Sequence, residues 1–350
     1  TTTATTTTET ETVTSTASIS DTPEEQRAKV ASLMVVGVDN YDDALWKLRQ
    51  GVGGIFITSW ANPELLTTEG RNIVALREEI GRPFSVSIDF EGGRVQRHAG
   101  IIGPRISPRE MAATMSPAEV ENYARDLGNS LRWHGVTVNF APVLDIDGAG
   151  LEVVGDRAFS HDPVVAGDYG AAFARGLEAA HITPVFKHFP GHGQASGDTH
   201  HQLAVTPPYE HVEAHDLPPY ATALPQVDAA VMVGHMVVPG LGDGATPSSL
   251  DPAVYQLLRT GGYPGGQPFD GVVYTDDLTG MRAITDRWTL PQAVVAAVRA
   301  GADQPLFSSG GELIAAIDAL DAAVTAGEVS TERLDAAADR VQRQLQRTGA

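Results

Sequence analysis

The chain has 350 residues, no cysteine and a formal net charge of −20, from 24 Lys and Arg against 44 Asp and Glu. The missing cysteine excludes disulfides, thiolate metal sites and a cysteine nucleophile. The acidic balance argues against nucleic acid as a partner, because cations must neutralise its phosphates. No run approaches the roughly 18 consecutive apolar residues that a transmembrane helix needs.

Residues 1–21 are nearly all Thr, Ser, Ala and Glu. Such a tract cannot bury apolar surface and is expected to be a flexible tether. With a start at Thr1 rather than Met, it suggests an exported or cell-envelope protein trimmed of its signal; a cytoplasmic protein is the alternative. From Thr22 onward, short β-branched apolar runs predict strands at 34–38, 54–58, 84–89, 136–145, 182–188, 229–238, 271–277 and 302–308. Nearly continuous apolar runs of this length suit parallel strands covered on both faces. Amphipathic stretches between and after them predict helices at 42–50, 68–80, 117–134, 164–180, 252–260, 290–300, 312–325 and 331–346. Start signals such as Ser116-Pro117 and Asp251-Pro252 support them, as do Gly81, Gly135, Gly261 and Gly301 at their ends. Eight strands interleaved with helices predict a (β/α)8 barrel of TIM type, one domain over 22–350. An open doubly wound sheet is the alternative, but no Gly-x-Gly-x-x-Gly follows the first strand.

Polar residues gather where these strands end. The third strand leads into Asp89, Glu91, Arg94 and Arg97, and the fourth into Asp145 and Asp147, with Arg157 beyond. The fifth carries Lys187 and His188, then His192 and the run Asp198-Thr199-His200-His201; the sixth ends at His235 and Met236, the seventh at Asp276 and Asp277. In a barrel, all of these converge on the C-terminal face, where such enzymes keep their active sites. The histidines invite a zinc reading, but their spacing fits no His-Glu-x-x-His or similar signature, so no metal is expected. Glu91, Arg94, Asp145 and His192 read most simply as residues that tie loops together.

Four motifs occur in order: Asp89-Phe90-Glu91-Gly92-Gly93-Arg94-Val95, Asn139-Phe140-Ala141-Pro142-Val143-Leu144-Asp145, Lys187-His188-Phe189-Pro190-Gly191-His192-Gly193 with Asp198-Thr199-His200, and Thr275-Asp276-Asp277-Leu278. Together they resemble glycoside hydrolase family 3 in its compact, single-domain β-N-acetylglucosaminidase branch. The resemblance implies that Asp276 is the catalytic nucleophile, with Asp277 the competing assignment. It implies that His200, oriented by Asp198, is the acid/base in place of the usual carboxylate. Imidazole suits that task because its pKa of about 6.5 keeps both protonation states accessible. A mobile loop is expected to carry this pair towards the substrate. Asp89, Arg97, Arg157, Lys187 and His188 are implied as sugar contacts. No cofactor is implied, and the compact type is expected to be a monomer.

The activity implied is retaining exo-hydrolysis of terminal β-linked GlcNAc from peptidoglycan fragments or short glycosides. Phosphorolysis by the same residues is the alternative, and a catalytically dead sugar-binding protein is a further one. Phe90, Thr199, Ala158 after Arg157, and the loop 148–152 depart from the family pattern.

Overall fold

The computed structural model describes residues 21–148 and 150–350. The expected tether therefore lies outside the described residues, except for Asp21, whose carboxylate accepts from Lys29 Nζ at 2.6 Å. No described helix is long and apolar enough to cross a membrane.

Eight parallel strands carry the fold: β1 (Val35–Val38), β2 (Gly54–Ile57), β3 (Ser85–Ile88), β4 (Val138–Asn139), β5 (Thr183–Phe189), β6 (Ala230–Val233), β7 (Val273–Thr275) and β8 (Leu306–Phe307). They pair in chain order, and β8 pairs with β1. The remaining seam closes through a parallel bridge between Tyr274 and Gln304 and a bond from Leu278 N to Leu306 O at 2.9 Å. This is the (β/α)8 barrel that the alternating pattern predicts.

Period-two alternation divides the apolar residues between two layers. Val35, Phe56, Val138, Phe140, Val185, Met232, Tyr274 and Leu306 point inward and fill the barrel. Their neighbours Val36, Ile55, Val86, Phe186, Val231 and Val273 point outward against the helices. Tyr274 packs edge-on against Phe140 at 5.2 Å, and its hydroxyl accepts from Gln344 on the C-terminal helix Thr331–Thr348 at 2.7 Å.

Several strands are shorter than their apolar runs. The run 136–145 forms only two strand residues, since Pro142 has no N–H for a ladder; the rest continues as a loop that delivers Asp145 to the site. The helix expected from 68 starts at Ile73, where the Asn72 side chain accepts from Ala75 N at 3.1 Å. Gly81 and Gly261 end their helices in the left-handed region, at φ 66° and 64°, as cap glycines do.

Other elements escape the apolar pattern. The helix Pro23–Leu33 is mostly polar, buries only Val30, Ala31 and Leu33, and rests on a capping box between Thr22 and Glu25. The short helices Tyr209–His215 and Pro218–Ala223 fill the connection from β5 to β6. A small antiparallel hairpin, Phe90–Gly92 with Val95–Gln96, follows β3.

Candidate active site

The C-terminal ends of the strands surround a cavity of about 450 Å³. All eight residues singled out from the sequence line it: Asp89, Arg97, Arg157, Lys187, His188, Asp198, His200 and Asp276. Thr58, Trp60, Met281 and Ser308 line it as well.

The fifth strand supplies the most rigid part. Val185 points into the barrel, so alternation sends Lys187 the same way. The register with β6 then shifts between Phe186 and Phe189, and such an irregularity re-aims side chains, so His188 also faces the cavity. Lys187 is buried, and its ammonium meets Asp89 Oδ1 at 3.0 Å and Glu91 Oε1 at 2.7 Å. Burial alone would lower its pKa, but the two carboxylates raise it above the ordinary value, so Lys187 is a fixed cation.

Glu91 is the centre of this arrangement. Its side chain is fully buried, yet it takes two bonds of 2.8 Å from the Arg157 fork as well as the Lys187 contact. Burial opposes its charge, but Arg157 and Lys187 outweigh that and hold its carboxyl far below the usual range. Arg157 stands on the turn Gly155–Arg157, where Nη1 also donates to Val153 O at 2.9 Å. Glu91 therefore does tie loops together, as expected, but the loops it ties carry two of the sugar-contact candidates. Arg97, on the strand-3 hairpin side, has no carboxylate within 4.0 Å among the described residues.

Asp145 has a similar hidden task. It is buried and accepts from His188 Nδ1 at 2.6 Å, from His188 N at 3.2 Å and from His192 N at 2.8 Å. The bond at Nδ1 places a proton there and turns Nε2 towards Asp276 Oδ2, 3.8 Å away. Burial pushes the Asp145 carboxyl up, but His188 and its other donors bring it below the ordinary value. Close backbone packing supports this corner: a Cβ on Gly193 would lie 1.5 Å from Ile146 O.

Asp276 follows β7, where its N–H donates to Val233 O at 2.9 Å. Its Oδ1 accepts from Asp277 N at 2.8 Å. Burial works against its ionisation, but His188, His235 and that backbone N–H hold the carboxyl below its ordinary range. Asp277 is engaged elsewhere: it accepts from Thr279 N at 3.0 Å, Thr279 Oγ1 at 2.9 Å and Ser308 N at 2.9 Å, and from the Ser308 hydroxyl. The two adjacent acids thus divide into one that faces the cavity with an open oxygen and one that braces the loop. His235 is fully buried, with Nδ1 on Ser249 Oγ at 2.7 Å and Nε2 on Asp277 O at 2.8 Å, so it braces the same turn.

On the facing loop, His200 Nδ1 bonds Asp198 Oδ1 at 2.7 Å, and His200 N donates to the same oxygen at 2.9 Å. Burial opposes the Asp198 charge, but the two His200 donors together outweigh it and hold its carboxyl below the ordinary value. The loop is anchored by Ser196 N on Val205 O at 2.7 Å and by Ala283 N on Thr199 O at 3.2 Å. His201, the competing histidine, leaves 82% of its side chain exposed and is not part of the cavity wall. Among the described residues, no three His, Asp or Glu side chains converge in a metal-holding group.

Glu91 and Asp145 were not legible as functional supports, since both act through residues far away in the chain. Their place inside two motifs was the only signal.

Residues 26–344 match the glycosyl hydrolase family 3 N-terminal domain. β-Hexosaminidase LpqI of Mycobacterium tuberculosis is 43% identical over 318 residues, covering 90% of this chain and 81% of the relative. A solved glycosyl hydrolase of family 3 from Mycobacterium smegmatis superposes with a TM-score of 0.88 at 46% identity, covering 91% of this chain and 96% of that one. A family 3 β-N-acetylglucosaminidase from Paenibacillus gives a TM-score of 0.83 at 33% identity, over 92% of this chain and 62% of the other. With the barrel and its lined cavity, these similarities establish that the chain belongs to glycosyl hydrolase family 3 and is a glycoside hydrolase.

Proposed function

We propose that the protein is a retaining exo-β-N-acetylglucosaminidase that removes terminal GlcNAc from peptidoglycan fragments or short β-linked glycosides. The observation that carries this reading is the pairing of two groups across one cavity. Asp276 is buried and kept ionised with one oxygen open, and the Asp198–His200 pair lines the same cavity. The relatives' names support the choice of N-acetylhexosamine.

In the first step, Asp276 attacks the anomeric carbon and forms a glycosyl ester while the bond to the aglycone breaks. Protonated His200 gives its proton to the departing oxygen. In the second step, neutral His200 takes a proton from water, the water oxygen attacks the same carbon, and Asp276 leaves as carboxylate. Asp198 accepts from His200 Nδ1 and so fixes the orientation and tautomer of the imidazole. Asp89 accepts from sugar hydroxyls, Lys187, Arg157 and Arg97 donate to sugar oxygens, and His188 presents Nε2 to the sugar. Hydrolysis of an aryl β-GlcNAc, with the Asp276→Asn variant beside the wild type, tests the assignment. The variant should lose more than about a thousandfold in kcat; undiminished turnover would sink it.

Phosphorolysis is the second reading, with phosphate in place of water. Arg97 favours it, because a cavity-lining cation without a nearby carboxylate could receive that anion. GlcNAc-1-phosphate as the main product in phosphate buffer would establish it; free GlcNAc alone would dismiss it.

A further inference from the structure

Two of the few large apolar side chains left exposed stand together beside the cavity: Trp60, 59% exposed, and Trp46, 47% exposed. They line a surface groove of about 430 Å³ with Asp39, Asp43 and the 308–311 segment. The groove shares Trp60 and Ser308 with the cavity, so the two are continuous, and Trp46 lies on the groove alone. A chain leaving the cavity in this direction meets Trp60 first and Trp46 afterwards.

The Trp60 ring is held in place. Its Nε1 donates to Asp39 Oδ1 at 3.0 Å, while Asp39 O accepts from Asn62 N at 2.7 Å and Asp39 N donates to Asp43 Oδ2 at 2.9 Å. These bonds lock the loop after β2 to the loop after β1. Trp46 is carried by the helix Tyr41–Arg49, whose first turn is capped by Asn40. Neither indole gains from being left in water, and two exposed aromatic side chains along one groove, one of them held by a hydrogen bond, mark a ligand surface.

The groove is also acidic. Lys47 is buried, with its ammonium on Gly37 O at 2.8 Å and Asp43 Oδ2 at 2.7 Å, so it offsets Asp43. Asp39 has no cation within 4.0 Å among the described residues. Flat amphipathic rings flanked by carboxylate and hydroxyl acceptors fit a pyranose, which presents an apolar C–H face and a rim of hydroxyl donors. The uncompensated Asp39 favours neutral sugars over carboxylate-bearing ones.

We propose that Trp60 and Trp46 form a two-ring platform for neutral sugar residues on the leaving-group side of the scissile bond. The inference rests on the glycosidase reading, and of the two substrate kinds named there it favours short neutral β-linked glycosides over peptidoglycan fragments, whose next sugar carries a lactyl carboxyl group. Trp60 stacks the first sugar beyond the cleaved bond and Trp46 stacks a later one. The platform touches only the aglycone, so it acts on formation of the glycosyl ester and is idle during its hydrolysis.

The test compares the full chain with its Trp60→Ala and Trp46→Ala variants on methyl β-GlcNAc, on neutral β-linked GlcNAc di-, tri- and tetrasaccharides, and on a disaccharide whose second sugar bears a carboxylate. Trp60→Ala should lower kcat/KM about tenfold on every oligosaccharide. Trp46→Ala should do so only on the longer ones, leaving the disaccharide within about twofold. Trp46→Ala should treat methyl β-GlcNAc as the wild type does, Trp60→Ala should lose less on it than on the oligosaccharides, and Trp→Phe at either position should restore most of the loss. A wild-type-like Tm excludes misfolding as the cause. An unchanged ratio of oligosaccharide to methyl-glycoside turnover in both variants would overturn the platform alone. Preference for an aglycone sugar bearing a carboxylate would overturn the neutral occupant. Failure of the wild type to cleave any of these substrates would overturn the glycosidase reading and the platform with it.

Discussion

Replacing Glu91 by Gln removes one negative charge while keeping the side chain's volume, at a position with no solvent exposure. Three charge-assisted contacts depend on that charge: two from Arg157 at 2.8 Å and one from Lys187 at 2.7 Å. Lys187 keeps Asp89 at 3.0 Å, but Arg157 has no other carboxylate within 4.0 Å among the described residues. Breaking a buried ion pair from one side costs about 3–5 kcal/mol, because the remaining charge stays buried without its partner. That is a large share of a typical stability of about 5–15 kcal/mol. At about 2–4 °C per kcal/mol for a large domain, Tm should fall by roughly 6–20 °C.

The pH dependence has a definite sign. Glu91 is held far below its ordinary value of 4.5 in the folded state. Its contribution is therefore present above that value and lost as pH falls below it. The deficit of Glu91→Gln should be full at pH 7 and shrink below about pH 4. Melting curves at several pH values measure it, and kinetics with an aryl β-GlcNAc should show KM rising more than kcat falls, since Arg157 and Lys187 lose their fixed positions. A variant that melts within about 1 °C of the wild type at pH 7, with KM unchanged, would refute the reasoning.

Asp145→Asn should lower kcat/KM by about 10- to 150-fold, since an amide cannot accept from His188 Nδ1 and two backbone N–H groups as a carboxylate does; wild-type kinetics would show that His188 is oriented otherwise. His200→Ala should lose about 10²- to 10⁴-fold on substrates with poor leaving groups and much less on activated ones, whereas His201→Ala, altering an exposed ring, should stay near wild type. The reverse pattern would transfer the acid/base role. Asp216 is buried with neither carboxylate oxygen bonded among the described residues, and burial, aided by Asp145, pushes its pKa up to about 8. The folded state then keeps a proton that the unfolded chain releases near pH 4, so stability should fall as pH rises from about 4 to 8. Asp216→Asn should remove that slope, raising Tm at pH 8 and leaving it nearly unchanged at pH 4; equal pH profiles would count against it.

Much of the site is legible in the sequence because its residues sit at strand ends within contiguous motifs. Lys187 and His188 close an apolar run, and Asp276 closes another, so a barrel brings them together once the strands are recognised. Asp198 and His200 are two residues apart, and local geometry alone lets them bond. The connection from β5 to β6 is not legible: its helices Tyr209–His215 and Pro218–Ala223 are too short to display a period. The helix Pro23–Leu33 escapes notice because charge, not an apolar stripe, fills most of its surface.

The barrel and the identity of its polar residues follow from local order along the chain: β-branched runs, caps and motif spacing. Partnership belongs to the folded molecule instead. Glu91 meets Arg157 across 66 positions and Asp145 meets His188 across 43. No spacing rule encodes such pairs, because closure of the barrel chooses which strand ends face each other. The same closure leaves Asp276 with an open oxygen while Asp277, also at the cavity wall, is spent on bracing the loop, and it puts His200 on the cavity but His201 in water. It also sets Trp60 beside Trp46, two tryptophans whose positions along the chain say nothing of a shared groove.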